Sequence, residues 1–351
     1  MRSRTFLIDG QVDARAIAAE VVRAGGDPKT LEEHGRVVAV TATLDDASTA
    51  RVSRLPGVSR VLSAPVAWPK VARRGPATRL VEVGAEVGAE RVAIGGDRPV
   101  IIAGPCAVES AEQLEACARA IAACGGRLLR GGAYKPRTSP YAFAGHGVAG
   151  LRLLREIADR HRLAVVTEVL DPRDVDAVAE HADVLQIGAR TMSDFALLRA
   201  VGAVDKPVLL KRSPSATLDE LLHAAEHLAT AGARDIVLCE RGVRGFDPAA
   251  RNLVDVAAVP LLRMRTDLPI LVDPSHGVGV REAVLPIAAA SIAAGADGVM
   301  VECHPDPGVA RSDGPQALTL DALPRLFAQV DAIAFAVRLA PSAASGAIAA
   351  E

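Results

Sequence analysis

The stretch GGAYKPRTSP, residues 131–140, sets Lys135 and Arg137 two positions apart with Pro136 between them, followed by Thr138, Ser139 and Pro140. The prolines restrict the backbone around the pair, so this is a stiff loop. Two cations and two hydroxyls on a stiff loop suit an anion, and phosphate above all. Other ionisable residues close a series of short apolar runs. Cys106 follows the first in GPCAVES, Glu168 ends another, Arg190 stands in GAR, and Lys211 and Arg212 end KPVLLKR. Glu240 and Arg241 follow, then Asp273 and His276 in DPSH, Glu302 and His304 in ECHPDP, and Asp313 in ARSDGPQ. Two sets emerge. Lys135, Arg137, Arg190, Lys211 and Arg241 are enough for more than one phosphate or carboxylate. Cys106, His276, Glu302 and Asp313 offer S, N and O donors, a mixture that suits a borderline divalent ion such as Zn, Mn or Fe(II). Their long-range spacing leaves the metal reading open, and a lone buried Cys106 reads equally well as packing.

Those residues need a scaffold that brings distant strand ends together. From residue 99 onward, short apolar runs alternate with helical stretches. The strands are expected at 100–104, 127–131, 163–168, 184–188, 207–211, 235–240, 269–273 and 298–302, with helical patterns such as AEQLEACARAIAACG and LDELLHAAEHLATAG between them. Eight strand–helix units imply a closed (β/α)8 TIM barrel, in which chemistry sits at the C-terminal strand ends. An open doubly wound sheet is the rival architecture, and no GxGxxG follows the first strand to support a dinucleotide site. One ionisable loop residue is readily explained as a solvated charge. A recurrence at every strand end on one rim is not.

The N-terminal stretch reads as a separate small α+β unit. Residues 4–8, 36–42 and 57–63 suggest strands, and 12–24 and 45–55 suggest helices. The implied strand–helix–strand–strand–helix–strand order is ferredoxin-like. The expected organisation is therefore residues 1–66 as this unit, 67–98 as a Pro-, Gly- and Arg-rich linker, 99–340 as the barrel and 341–351 as a flexible tail.

Composition removes several function classes. The formal net charge of -2 and 3% aromatic content argue against a sequence-independent nucleic-acid binder. No apolar run reaches the roughly 20 residues that span a bilayer. The N-terminus turns polar too soon for a signal peptide, so a cytoplasmic location is expected. Five Cys without paired spacing do not suggest a disulfide framework.

Taken together, IIAGPCAVES, LRGGAYKPRTSPYAF, VVTEVLD, LQIGAR, KPVLLKR, VLCERGVR, PILVDPSHG and VECHPDP…SDGPQAL resemble the 3-deoxy-D-arabino-heptulosonate 7-phosphate (DAHP) synthases, in the compact type related to the 3-deoxyoctulosonate 8-phosphate synthases. The resemblance runs in order from residue 99 to about 335. It implies condensation of phosphoenolpyruvate with erythrose 4-phosphate, the first step of aromatic biosynthesis. It implies a divalent ion (Mn, Fe, Zn or Co) held by Cys106, His276, Glu302 and Asp313. It puts the phosphoenolpyruvate phosphate on Arg190, Lys211 and Arg241, with Lys135 near the carboxylate and reacting carbons. Arg137, Thr138 and Ser139 would take the aldose phosphate. Lys135, one cation among several, is a candidate general acid, and Cys106 and His276 join it as catalytic candidates. The N-terminal unit resembles, in shape and position, the regulatory (ACT-like) domain of some members. That implies feedback control by an aromatic amino acid and a homotetramer.

Three positions depart from the family pattern: Ala144 stands for Gln, Ser213 for Gly and Gly245 for Thr. They bear on the choice of sugar, whereas Pro136 favours erythrose 4-phosphate over a five-carbon sugar. HAAEH, residues 223–227, matches a zinc-peptidase pattern but falls on a helix expected on the barrel's outside. His304 flanks a candidate ligand and reads as a supporting residue. Two other functions remain in competition: a related synthase using another aldose phosphate, and a silent metabolite-binding barrel that regulates a partner.

Overall fold

The structure is a computed structural model and describes residues 2–9, 14–33, 36–62, 67–84, 91–135, 141 and 143–339. The N-terminal unit runs β1 (Arg2–Ile8), α1 (Ala14–Arg23), β2 (Lys29–Glu33), β3 (Arg36–Leu44), α2 (Asp46–Val52) and β4 (Val58–Leu62). Its strands pair antiparallel in the order β2-β3-β1-β4. Alternation along β1 and β3 decides the faces. Phe6, Ile8, Val40, Ala42 and Leu44 pack under Ile17 and Val21 of α1, while Leu7 and Ala39 turn to the other face and meet Ala72 and Trp68.

The stretch expected as a linker carries more structure than its composition suggests. Glu226 accepts hydrogen bonds from the backbone N–H of Lys70 (2.9 Å) and Val71 (3.1 Å), which fastens this segment to the barrel. A hairpin follows, β5 (Val81–Val83) with β6 (Val92–Ile94). Val81, Val83 and Ile94 are fully or almost fully buried and belong to the cluster that fills the barrel interior.

The barrel strands are β7 (Val100–Gly104), β8 (Leu128–Arg130), β9 (Ala164–Val169), β10 (Val184–Ile187), β11 (Val208–Lys211), β12 (Ile236–Glu240), β13 (Ile270–Val272) and β14 (Gly298–His304). Each pairs parallel with its neighbours, and β14 pairs with both β13 and β7, so the sheet closes. The open-sheet rival is thereby excluded. The intervening helices are α3 (Ala111–Ala123), α4 (Gly147–Arg160), α5 (Val175–His181), α6 (Phe195–Gly202), α7 (Leu218–Ala231) and α8 (Ala258–Arg263). After β13 come a short α9 (Pro274–Val278) and α10 (Arg281–Ala293), and α11 (Leu323–Leu339) closes the ring. Ser110, Asp194 and Thr217 cap α3, α6 and α7 with their side-chain oxygens, which satisfy otherwise orphaned N–H groups. Among the described residues, no helix is long and apolar enough to cross a membrane.

Strand parity sorts the barrel residues into two cores. Ile101, Leu129, Val165, Leu185, Leu210, Leu238, Val272 and Val301 face the helices. Ile102, Leu128, Val166, Val184, Leu209, Cys239, Leu271 and Met300 fill the interior. That interior layer is the floor on which the polar rim stands.

Candidate metal centre and substrate cavity

Two positions beyond each interior residue, the same face of the strand is presented again. That step leads from Leu128 to Arg130, Val166 to Glu168, Val184 to Gln186, Leu209 to Lys211, Cys239 to Arg241, Leu271 to Asp273 and Met300 to Glu302. One turn of side-chain parity therefore converts an apolar plug into a ring of charge. Gly188 continues the series after Gln186. A Cβ there would lie 1.8 Å from the Glu168 carboxylate, so any larger residue would displace that side chain.

Cys106, His276, Glu302 and Asp313 meet at this rim although 207 residues separate the first from the last. One donor atom from each lies within 4.8 Å of all the others. Two donors on one tetrahedral ion stand roughly 3.3–3.8 Å apart, so a small inward shift would bring all four to one ion. Cys106 Sγ lies 3.1 Å from Asp313 Oδ2, and His276 Nε2 lies 3.1 Å from Glu302 Oε1. Glu302 Oε1 is buried between two nitrogens, His276 Nε2 at 3.1 Å and Arg130 Nη2 at 3.2 Å, neither of them in hydrogen-bond geometry, so the oxygen has charge beside it but a lone pair left for a cation. Burial, then the charge of Glu302, pushes the Cys106 thiol up to about 12. A divalent cation reverses that preference, since a coordinating thiol deprotonates. Glu302 is also fully buried, which by itself would raise it, but His276 and Arg130 beside it hold it well below the usual carboxylate range. Asp313 sits in the left-handed region at φ 53°, a conformation Asp tolerates better than most residues. The donor set, with Glu302 Oε1 turned into it, fits a borderline divalent ion.

Asp273 organises the neighbouring ground. It caps α9 by accepting from the His276 backbone N–H at 2.9 Å, and its Oδ2 lies 2.7 Å from His276 Nδ1. The same oxygen receives Lys211 Nζ. Burial opposes its charge, but His276 and Lys211 outweigh that and keep Asp273 ionised. The His276 ring is thus oriented from one side with Nε2 turned to the cluster.

Above the cluster lies a cavity of about 490 Å³. Lys135, Arg190, Lys211, Arg241, His276 and Asp313, all singled out from the sequence, line it. Lys135 Nζ is 2.9 Å from Cys106 Sγ and 3.0 Å from the Cys106 carbonyl oxygen, so among the cations of the cavity it is the one against the Cys106 corner of the four-donor cluster. Arg241 is only 6% exposed and makes no ion pair among the described residues. Burial lowers its pKa, and the charge of Asp273 nearby offsets this only in part. Arg137, Thr138 and Ser139 lie outside the described residues. Cys106 and Glu302 are buried and do not line it. Arg212, beside Lys211 in sequence, points away and is consumed by Glu240 and Asp255, both at 2.9 Å.

Several cavity residues escape the sequence reading. Arg130, which lies 3.2 Å from Glu302 Oε1, and Gln186 follow from strand parity, as does the role of Asp273. Arg244, Arg251 and Ser312 sit on loops, where no periodic signal marks them. Of the family departures, Ser213 lines the cavity and Ala144 contributes only its carbonyl, which accepts from Lys135 N–H at 2.9 Å. A Cβ on Gly245 would meet nothing closer than 3.7 Å. In HAAEH, Glu226 is the residue that holds Lys70 and Val71, and His223 and His227 are exposed beside Trp68 and Phe195. The helix is a docking face. His304 stays outside the four-donor cluster, with Nδ1 accepting from Asp306 N–H at 3.1 Å.

Comparison with known proteins places this geometry. Residues 80–334 match the family model described as the DAHP synthetase I family. Phospho-2-dehydro-3-deoxyheptonate aldolase of Thermotoga maritima is 49% identical over 246 residues, covering 70% of this chain and 73% of that protein. The 2-dehydro-3-deoxyphosphooctonate aldolase of Geobacter sulfurreducens is 33% identical over 263 residues, covering 69% of this chain and 95% of that protein. The crystal structure of the Thermotoga maritima aldolase superposes with a TM-score of 0.74 at 37% identity, covering 96% of this chain and 98% of that one.

Proposed function

The chain belongs to the DAHP synthetase I family, and from that premise we propose how its own residues carry the reaction. The activity is that of a 3-deoxy-7-phosphoheptulonate synthase: phosphoenolpyruvate and erythrose 4-phosphate condense to DAHP and phosphate. The observation that carries the site assignment is one cavity with seven cationic side chains, from Arg130 to Arg251, over a buried S, N, O, O cluster. Two anionic substrates require that charge, and cations held in place by a rigid rim neutralise it without reorganisation.

Arg190, Lys211 and Arg241 bind the phosphoenolpyruvate phosphate, and the burial of Arg241 on the cavity wall without a direct ion pair among the described residues supports this most directly. Lys135 binds the carboxylate and stands over the reacting carbons. Arg137, Thr138 and Ser139 take the aldose phosphate. Cys106, His276, Glu302 and Asp313 hold the divalent ion, and their donor set suits Mn, Fe, Zn or Co. When bound, that ion supplies Lewis-acid polarisation of the aldehyde. The enol carbon of phosphoenolpyruvate forms the new bond to the aldehyde carbon, water adds at the carbon left cationic, and phosphate departs. Lys135 Nζ delivers a proton to the oxygen that was the carbonyl. The N-terminal sheet unit is a regulatory domain for an aromatic amino acid, a reading that rests on its shape and its linkage to the barrel.

Phosphate release by the purified protein tests the substrate assignment. Phosphoenolpyruvate is supplied with erythrose 4-phosphate, arabinose 5-phosphate or ribose 5-phosphate, each with EDTA and with added Mn²⁺. Release is expected with erythrose 4-phosphate alone, lost on chelation and restored by metal. Turnover of a five-carbon sugar would instead assign Ser213 and its neighbours to a changed pocket. No release with any sugar would favour a silent, regulatory barrel.

A further inference from the structure

Each carboxylate of the four-donor cluster has one oxygen turned inward and the other held from outside. Asp313 directs Oδ2 at Cys106, while its Oδ1 accepts from Arg251 Nη1 at 3.2 Å. Glu302 directs Oε1 at His276, while its Oε2 accepts from Gln316 Nε2 at 2.5 Å. The two outer contacts are joined, because the same Arg251 Nη1 donates to Gln316 Oε1 at 3.0 Å. The next residue continues the pattern. Asn252 Nδ2 donates to the His276 carbonyl at 3.2 Å, and the backbone N–H groups of Arg251 and Asn252 donate to Val278 and Gly277 at 2.9 and 3.0 Å. A single dipeptide on the loop after β12 therefore touches the supports of three of the four donors, none of which lies on that loop.

We propose that Arg251 and Gln316 are positioning residues that fix which oxygen of Asp313 and of Glu302 faces the metal. The inference rests on the metal reading of the four-donor cluster. A carboxylate with both oxygens unheld can rotate, or can bind through both. Holding the outer oxygen sets one inward donor per carboxylate and leaves a coordination position for substrate. Gln316 suits the task because its amide accepts from Arg251 and donates to Glu302 at once, which neither a carboxylate nor an amine could do. Arg251 also lines the substrate cavity, so the clasp is anchored at the wall the substrates meet.

The test measures metal affinity, not turnover. Full-length protein stripped with a chelator is titrated with Mn²⁺ by calorimetry, and with Co²⁺ to read the ligand-field spectrum. The variants are Arg251→Met, Arg251→Lys and Gln316→Met, with Cys106→Ser as the control for the centre itself. Arg251→Met and Gln316→Met should each weaken Mn²⁺ binding by about 10- to 100-fold and alter the Co²⁺ spectrum. Arg251→Lys should recover part of that loss. The thermal midpoint of the stripped protein should stay within a few degrees. Because the two residues act as one relay, the double variant should be little worse than the weaker single. Wild-type affinity in Arg251→Met, while Cys106→Ser has lost the metal, would overturn the proposal. Undiminished binding by Cys106→Ser would instead sink the metal reading beneath it. Gln316 is buried, so if Gln316→Met fails to fold, the half-exposed Arg251 decides the matter through its two variants.

Discussion

Arg241 and Lys135 show how differently two cations of one cavity are placed. Arg241 is buried on the cavity wall with no direct ion pair among the described residues, so a bound anion would supply the close contact it lacks. Arg241→Gln should cost the charge-assisted contact, about 1.5–3 kcal/mol. That corresponds to a rise of about 10- to 100-fold in KM for phosphoenolpyruvate, measured by steady-state kinetics, with a smaller change for the sugar. Lys135 lies against Cys106 Sγ, at the edge of the four-donor cluster, and is the proposed proton donor. Lys135→Met should remove most of kcat while the stripped protein keeps its thermal midpoint. A variant that kept most of kcat would exclude Lys135 as the proton donor.

At the level of elements, the rim depends on strands that alternate and loops that are tied. The strands supply Arg130, Lys211, Asp273 and Glu302 by parity, and a one-residue slip would turn all of them outward. The loops depend on individual bonds instead. Glu226 on α7 accepts three contacts from the N–H groups of Lys70 and Val71, although burial raises its pKa and so opposes its charge. Glu226→Ala would leave those donors unmet, at a cost of roughly 1–3 kcal/mol. The expected readouts are a thermal midpoint lower by several degrees and faster proteolysis within residues 67–79, with the metal affinity of the barrel unchanged.

For the whole molecule, the boundary between the two units has a physical position. Residues 67–84 cover the free face of the N-terminal sheet through Trp68 and Ala72, and then enter the barrel floor through Val81 and Val83. Burying Val81, Val83 and Ile94 contributes roughly 1.5–3 kcal/mol each, which together is a large part of a typical domain's net stability. A chain beginning at residue 67 should therefore fold and condense the two substrates, whereas one beginning at residue 99 should aggregate. Circular dichroism and phosphate release distinguish the two. If the N-terminal unit is regulatory, the first truncation should also abolish inhibition by tyrosine or phenylalanine. Inhibition that survives it would remove that role.

The sequence by itself determined the barrel, its eight strands to within two residues at either end, and the residue types gathered on one rim. It could do so because period-2 alternation, turn chemistry and the motifs around Cys106, His276 and Asp313 are local signals. The ferredoxin-like order was legible for the same reason, although β2 has no run of its own: its residues, KTLEE, are too polar to announce a strand. Tertiary structure alone decided the rest. It turned part of an apparent linker into the barrel floor, because Val81 and Ile94 are short apolar marks whose cluster draws on all eight barrel strands. It separated Lys211, which faces the cavity, from Arg212, which does not. It also put Arg251 against the Asp313 carboxylate 62 positions away and, through Gln316, behind that of Glu302, an arrangement set by loop closure, for which no periodicity in the chain provides a sign.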